Sequence, residues 1–288
     1  MIESGKLYLV ATPLGNLEDI TFRALKILAE VDLIAAEDTR HTLKLLNHYQ
    51  IKKKLISYYR HNEQERTGEL IPRILEGMNV ALVSDAGMPG ISDPGNNLVQ
   101  GAVAQGITVI PIPGPSAVIT ALAASGLDTG TFHFEGFLPR KNQAQRVKLQ
   151  EMSGFSGTLV FYESPHRLVD TLQMIHDVFG NRKVVLAREL TKIHEEFMRG
   201  PMVEILAKLM GLERIRGEFT ILVEGVQETM NFESPGETEP IDFSAIQDSA
   251  GSSPRSLRAE LRAIAQKSGK TTKEVYQLYL AGQKRESH

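Results

Sequence analysis

The 288-residue chain contains no cysteine, which excludes disulfides, thiolate catalysis and cysteine-ligated zinc together. No apolar run approaches the roughly 18 residues a membrane span requires. The opening MIESGK lacks the basic, hydrophobic and small-residue succession of a secretory signal. The expectation is a cytoplasmic protein with no membrane association. Three catalytic signatures are missing as well. The first apolar run is followed by ATPLGN, where a dinucleotide fold would carry G-x-G-x-x-G. Gly114-Pro115-Ser116-Ala117 lacks the second glycine of a nucleophile elbow and has proline before the serine. Gly269-Lys270-Thr271-Thr272 imitates the end of a P-loop without the upstream glycine or strand. Covalent serine chemistry is disfavoured, and a dehydrogenase falls behind a transferase.

What is present is ordinary for a globular chain: 42% hydrophobic and 23% charged residues, with length enough for two domains with proper cores. The net charge of -3 hides a polarity. Residues 1–226 carry 24 bases and 26 acids, residues 227–250 six acids and no base, and residues 251–288 eight bases against three acids. A basic tail suits a polyanionic partner, although a solvated helix face has the same composition.

Short β-branched runs alternate with amphipathic stretches up to about Gly126. Strands are expected at 6–10, 31–36, 55–58, 80–83 and 108–110, with helices between them, including 62–77 and 96–105. That alternation predicts a mostly parallel sheet covered on both faces, with the site at the strands' carboxyl ends. A second set over 132–225 repeats the logic, with strands at 158–162, 183–187 and 219–224 and helices at 166–179 and 201–210. The boundaries read 1–128 and 129–226 for two α/β domains. Residues 227–250 read as an acidic linker too poor in apolar residues to pack. Residues 251–288 read as a small basic helical hairpin, with Leu257, Leu261, Ile264 and Ala265 at helical spacing and a break at Ser268-Gly269.

Four loops each follow an apolar run and end in residues unsuited to a core: ATPLGNLED, VSDAGMPG, PIPGPSA and FYESPHR. One alone is turn chemistry; four suggest a cleft lined by backbone, suited to a nucleoside-like cofactor. VSDAGMPGISDPG has the glycines of a phosphate loop, yet Asp85 at its mouth would repel a phosphate. Asp93, before Pro94-Gly95, reads as a cap for the next helix. The cluster Glu37-Asp38-Thr39-Arg40-His41 offers either a substrate contact or a helix N-cap at Asp38 or Thr39. Metal binding is not expected there, because consecutive residues rarely converge on one ion. Arg188-Glu189-Leu190-Thr191-Lys192 either faces the cleft or forms an internal ion pair.

Taken in order, YLVATPLGNLEDI, DLIAAEDTRHT, ALVSDAGMPGISDPG, PIPGPSAVITALAASG, FEGFLPRK, LVFYESPHRL and VLARELTK resemble the tetrapyrrole methylase superfamily, the class III S-adenosylmethionine methyltransferases. The resemblance covers nearly the whole chain and is strongest to the branch that 2′-O-methylates a cytidine in the decoding region of 16S rRNA. It implies two α/β domains with S-adenosylmethionine in the cleft between them, a homodimer, and 16S rRNA within the small ribosomal subunit as partner. It also implies cofactor contacts at Pro13, Leu14, Asp85, Ala86, Met88, Ser116, Ala117, Tyr162, Leu190 and Thr220, with Phe137 beside the transferred methyl. S-adenosylmethionine carries a sulfonium, an ammonium and a ribose diol but no phosphate, so an acceptor-only carboxylate such as Asp85 suits it. Transfer to a hydroxyl calls for in-line alignment and a general base. Asp38, Glu163 and Glu189 are the candidate bases, with Arg40, Arg167 and Arg188 as orienting groups. Arg255, Arg258, Arg262, Lys267, Lys270 and Lys273 in the basic hairpin are the candidate phosphate contacts. The alternative within the same fold is a methyltransferase acting on a precorrin or uroporphyrinogen. A non-enzymatic RNA-binding module is disfavoured, because a binder needs no cofactor cleft.

Overall fold

The computed structural model describes residues 4–226, 261–265, 271, 272, 275, 276 and 279. The amino-terminal part is a βα alternation: β1 (Lys6–Val10), α1 (Phe22–Glu30), β2 (Leu33–Ala36), α2 (Thr39–His48), β3 (Leu55–Ser57), α3 (Glu63–Leu75), β4 (Val80–Val83), α4 (Asn96–Ala104) and β5 (Thr108–Ile112). The strands form one sheet in the order β3-β2-β4-β1-β5, with every pairing parallel. Its central strands are apolar throughout because both faces are covered. Period-two alternation divides each between two cores. Leu33, Ala35, Val80 and Leu82 pack against Leu70 and Ile74 of α3 and Leu98 and Ala102 of α4. Ile34, Ala36, Ala81 and Val83 pack against Ala24 and Leu28 of α1 and Leu46 of α2. Val31 is not strand: its N–H closes α1 by donating to the Ile27 carbonyl.

After β5, helix α5 (Ala117–Ser125) leads into a second set: β6 (Phe132–Phe137), α6 (Asn142–Met152), β7 (Thr158–Glu163), α7 (Leu168–Phe179), β8 (Lys183–Arg188), β9 (Glu196–Pro201), α8 (Met202–Met210) and β10 (Phe219–Val223). Here the structure departs from a repeat of the first sheet. The order is β6-β7-β10-β8-β9; β6 and β7 pair in parallel, but β10 runs antiparallel to both its neighbours and β9 antiparallel to β8. The connection between β8 and β9 is short, so a hairpin is the only pairing it permits, whereas a parallel return needs a crossover. Strand alternation again serves two cores. Leu159, Phe161, Leu186 and Ile221 face the buried sides of α6, α7 and α8. Val160, Val185, Ala187 and Leu222 face Val118, Ala121 and Leu122 of α5.

The remaining described residues belong to a separate unit, 228–288, in which Leu261, Ala265 and Val275 are buried together with Ile264 and Tyr279 against them. Arg262 is exposed on the helical turn 261–265. The acidic 227–250 stretch and Arg255, Arg258, Lys267, Lys270 and Lys273 lie outside the described residues. Among the described residues no helix is long and apolar enough to cross a membrane.

Candidate active site

Because all strands of the first sheet are parallel, the loops after β1, β2, β4 and β5 leave from one edge, and all four contribute to a cavity of about 400 Å³. The second sheet contributes the ends of β6, β7 and β8. Its antiparallel strand β10 contributes its first residues, Phe219 and Thr220, and Glu218 just before them. A volume of this size suits a drug- or cofactor-sized ligand.

The loops after β1 and β4 are tied to each other before any ligand enters. Thr12 and Gly87 exchange two backbone hydrogen bonds, each 2.9 Å, and the Thr12 hydroxyl donates to the Ser84 carbonyl at 3.1 Å. Gly87 has φ +80°, which a side chain would strain. Gly95 closes the same loop at φ +142°, where a Cβ would come within 2.7 Å of Leu82. The Asp85 carboxylate faces the cavity and also accepts the Asp38 N–H at 3.1 Å, fixing the end of β2 beside the loop.

The lining divides by chemistry. Five carboxylates, Glu37, Asp85, Asp93, Glu163 and Glu218, line the cavity, and among the described residues no Lys, Arg or His does. Leu14, Met88, Ile91, Phe137, Tyr162 and Leu190 form apolar and aromatic walls. Tyr162 packs between Phe134 and Phe137, with ring centroids 4.9 and 5.6 Å away. Burial raises Asp93 to about 7, with the charges of Glu37 and Asp85 acting in the same direction and Ser84 and Arg60 opposing. Glu37 is raised by burial and by Asp85. Burial, with the Asp93 charge, lifts the Tyr162 hydroxyl to about 12. Such a site disfavours phosphate and favours a ligand that carries positive charge on an otherwise apolar and hydrogen-bonding body. S-adenosylmethionine has that composition, so the residues present fit it.

The structure brings together nine of the residues expected to hold the cofactor: Leu14, Asp85, Ala86, Met88, Ser116, Ala117, Tyr162, Leu190 and Thr220. Pro13 is buried behind the loop and does not line the cavity. Of the candidate bases, only Glu163 lines it. Both its oxygens are already engaged, by the Thr171 hydroxyl at 2.7 Å and the Ser164 N–H at 2.8 Å, with Arg167 3.5 Å away. Asp38 is instead the N-cap of α2, accepting from the Arg40 N–H and guanidinium, and those hydrogen bonds hold it down at about 2. Glu189 turns to Lys192 at 3.0 Å and to the Glu218 N–H at 2.9 Å. Burial acts to raise it, but the Lys192 and Glu218 hydrogen bonds prevail and it is lowered. The orienting arginines are also committed: Arg40 to Asp38, Arg167 to the Leu138 and Pro139 carbonyls, and Arg188 to the Arg216 carbonyl and Glu196. Asp93 is not a cap. Helix α4 starts after Gly95 with no side-chain cap, and Asp93 points into the cavity. Glu37 was hidden in a charged run whose members the fold sends in different directions.

Two α/β sheets whose strand ends and loops line one cofactor-sized cleft fit a class of methyltransferases, and residues 6–206 match the family model for tetrapyrrole (corrin/porphyrin) methylases; the chain belongs to that family. Within it, the chain is 55% identical to ribosomal RNA small subunit methyltransferase I of Halalkalibacterium halodurans, over 77% of each chain. It is 44% identical to the protein of the same name from Streptococcus pyogenes, over 96% of this chain and 95% of that one. Uroporphyrin-III C-methyltransferase from Thermus thermophilus, solved with S-adenosylhomocysteine, shares the fold at a TM-score of 0.53 and 19% identity, over 76% of this chain and 97% of that one.

Proposed function

We propose that the cleft binds S-adenosylmethionine and that the protein transfers its methyl group to rRNA of the small ribosomal subunit, at the ribose 2′ oxygen of a cytidine in the decoding region of 16S rRNA. The observation that carries the cofactor assignment is a largely apolar lining whose charged members among the described residues are all carboxylates, which complements a cation without phosphates. The substrate assignment is supported by relatives 44% and 55% identical that are named for rRNA. The tetrapyrrole alternative is supported by likeness of fold alone.

When bound, the cofactor supplies an electrophilic methyl group on a positively charged sulfur. Leu14, Ala86, Met88, Ala117 and Leu190 are assigned to its apolar surface, Tyr162 and Phe137 to the aromatic wall that excludes water, and Asp85, Ser116 and Thr220 to its polar atoms. Preset loops hold the reacting atoms in line and lower the entropic cost of transfer. Arg262 and the other bases of the carboxyl-terminal unit are assigned to rRNA phosphates, which fix position but carry little sequence information. The assembled small subunit is therefore the assigned substrate, and a homodimer in the cytoplasm the assigned form.

The test is transfer of labelled methyl from S-adenosylmethionine to small subunits purified from cells lacking the enzyme, in parallel with uroporphyrinogen III. Label in 16S rRNA and none in the porphyrin supports the proposal; the opposite distribution overturns it.

A further inference from the structure

We infer that Asp93 is the proton acceptor for the ribose hydroxyl, with Glu37 as the neighbouring carboxylate that governs it; the inference rests on the methyl-transfer reading above. The carboxylates around the cavity are not equivalent. Glu163 is engaged by Thr171, Ser164 and Arg167. Glu218 is paired with Lys192 at 3.0 Å, and one oxygen of Asp85 holds the Asp38 N–H. Among the described residues no ion pair holds Asp93, and the side chain that acts on it by hydrogen bonding is the Ser84 hydroxyl, which also lies within 3.4 and 3.3 Å of the Ala86 and Gly87 carbonyls.

Its placement is built by strain and anchors on both sides. Ser92, immediately before it, sits at φ 65°, a left-handed conformation that costs a non-glycine residue about 1 kcal/mol or more and persists only where surroundings enforce it. Ser92 lies against Gly136 of β6, where a Cβ would be 2.7 Å from its Oγ. On the other side the Gly95 N–H donates to Glu63 Oε1 at 2.8 Å, and the Asn97 N–H to the same oxygen at 3.3 Å. The loop is thus pinned to the second sheet before Asp93 and to α3 after it. A helix cap needs neither anchor; a side chain aimed into the cavity uses both.

The groups that act most on Asp93, or that it acts on, come from four elements: Glu37 after β2, Arg60 after β3, Ser84 and Asp85 after β4, and Tyr162 on β7. Glu37 and Asp85 make proton uptake favourable; an entering sulfonium opposes it. In the transfer step the ribose oxygen forms a bond to the methyl carbon. The carbon–sulfur bond breaks with its electron pair left on sulfur, and the hydroxyl proton passes to an Asp93 carboxylate oxygen. One positive and one negative charge disappear together, and the proton then leaves to water.

Calorimetry without RNA reads the linkage apart from turnover. At pH 6.5, in buffers of different ionisation enthalpy, S-adenosylmethionine binding to wild type is expected to release a fraction of a proton, and S-adenosylhomocysteine less. Asp93→Asn is expected to lose that release while binding S-adenosylmethionine within a few-fold, which also reports that it is folded. With small subunits, Asp93→Asn is expected to lose roughly 10²- to 10⁴-fold in kcat and Asp93→Glu to regain part of it. Glu37→Gln is expected to move the acidic limb of the pH–rate profile to lower pH. Wild-type-like proton release and turnover in Asp93→Asn would overturn the inference while leaving the methyltransferase reading intact. A wild-type protein that binds S-adenosylmethionine but leaves ribose unmethylated overturns both.

Discussion

Replacing Asp93 by Asn should make the folded protein more stable at pH 8 and leave it nearly unchanged at pH 4. Burial, with Glu37 and Asp85 nearby, moves the carboxyl from its ordinary 3.8 to about 7. Above pH 3.8 the unfolded chain gives up this proton while the folded chain keeps it, so the group's contribution to stability declines as pH rises and levels off once the folded carboxyl also ionises near 7. Taken at face value the shift corresponds to about 4 kcal/mol. Asp93 is only half-buried, so solvent screening reduces this to on the order of 1–2 kcal/mol. For a chain of this length that is a rise of a few degrees in Tm. Differential scanning calorimetry of both proteins at pH 4.5, 6 and 8 and constant ionic strength should show a gap that opens with pH. A gap independent of pH, or a variant less stable at pH 8, would refute the carboxylate-cluster reasoning.

Other substitutions separate architecture from chemistry. Glu163→Ala removes the acceptor of Thr171 and Ser164 and the counter-charge of Arg167, which keeps the Leu138 and Pro139 carbonyls, so denaturant unfolding should show a loss of about 1–3 kcal/mol, with Glu163→Gln milder. Asp38→Ala removes the side chain that accepts the Arg40 N–H, and hydrogen exchange should quicken at that amide before the rest of α2. Gly136→Ala forces a Cβ against Ser92 Oγ at φ +77°. It should cost about 1–3 kcal/mol in urea unfolding and raise protease sensitivity in the 91–95 loop; unchanged stability would count against the pinned loop.

The first sheet was legible because runs such as Leu33-Ile34-Ala35-Ala36 and Val80-Ala81-Leu82-Val83 are apolar at consecutive positions, a pattern that only a strand covered on both faces needs. The second sheet was less so. Glu196–Pro201 carries Arg, Gly and Pro on an edge strand, where exposure permits polar residues, so it offers no apolar run. Phe219–Val223 is plainly a strand, but its direction depends on its partners, and that direction is what puts Glu218 and Phe219 into the cavity. The carboxylate cluster was legible only in part. Asp85 stood out at a loop mouth, whereas the sequence around Asp93 equally fits a cap, and adjacent Glu37 and Asp38 diverge into the cavity and a helix start. Burial beside a distant strand end decided both.

The most direct measurement is nucleoside mass spectrometry of 16S rRNA after incubating the wild-type protein and S-adenosylmethionine with unmodified small subunits. One new methyl group is expected, recovered as 2′-O-methylcytidine in an alkali-resistant dinucleotide. A methyl group on a base, or none on rRNA from a protein that demonstrably binds S-adenosylmethionine, would contradict it.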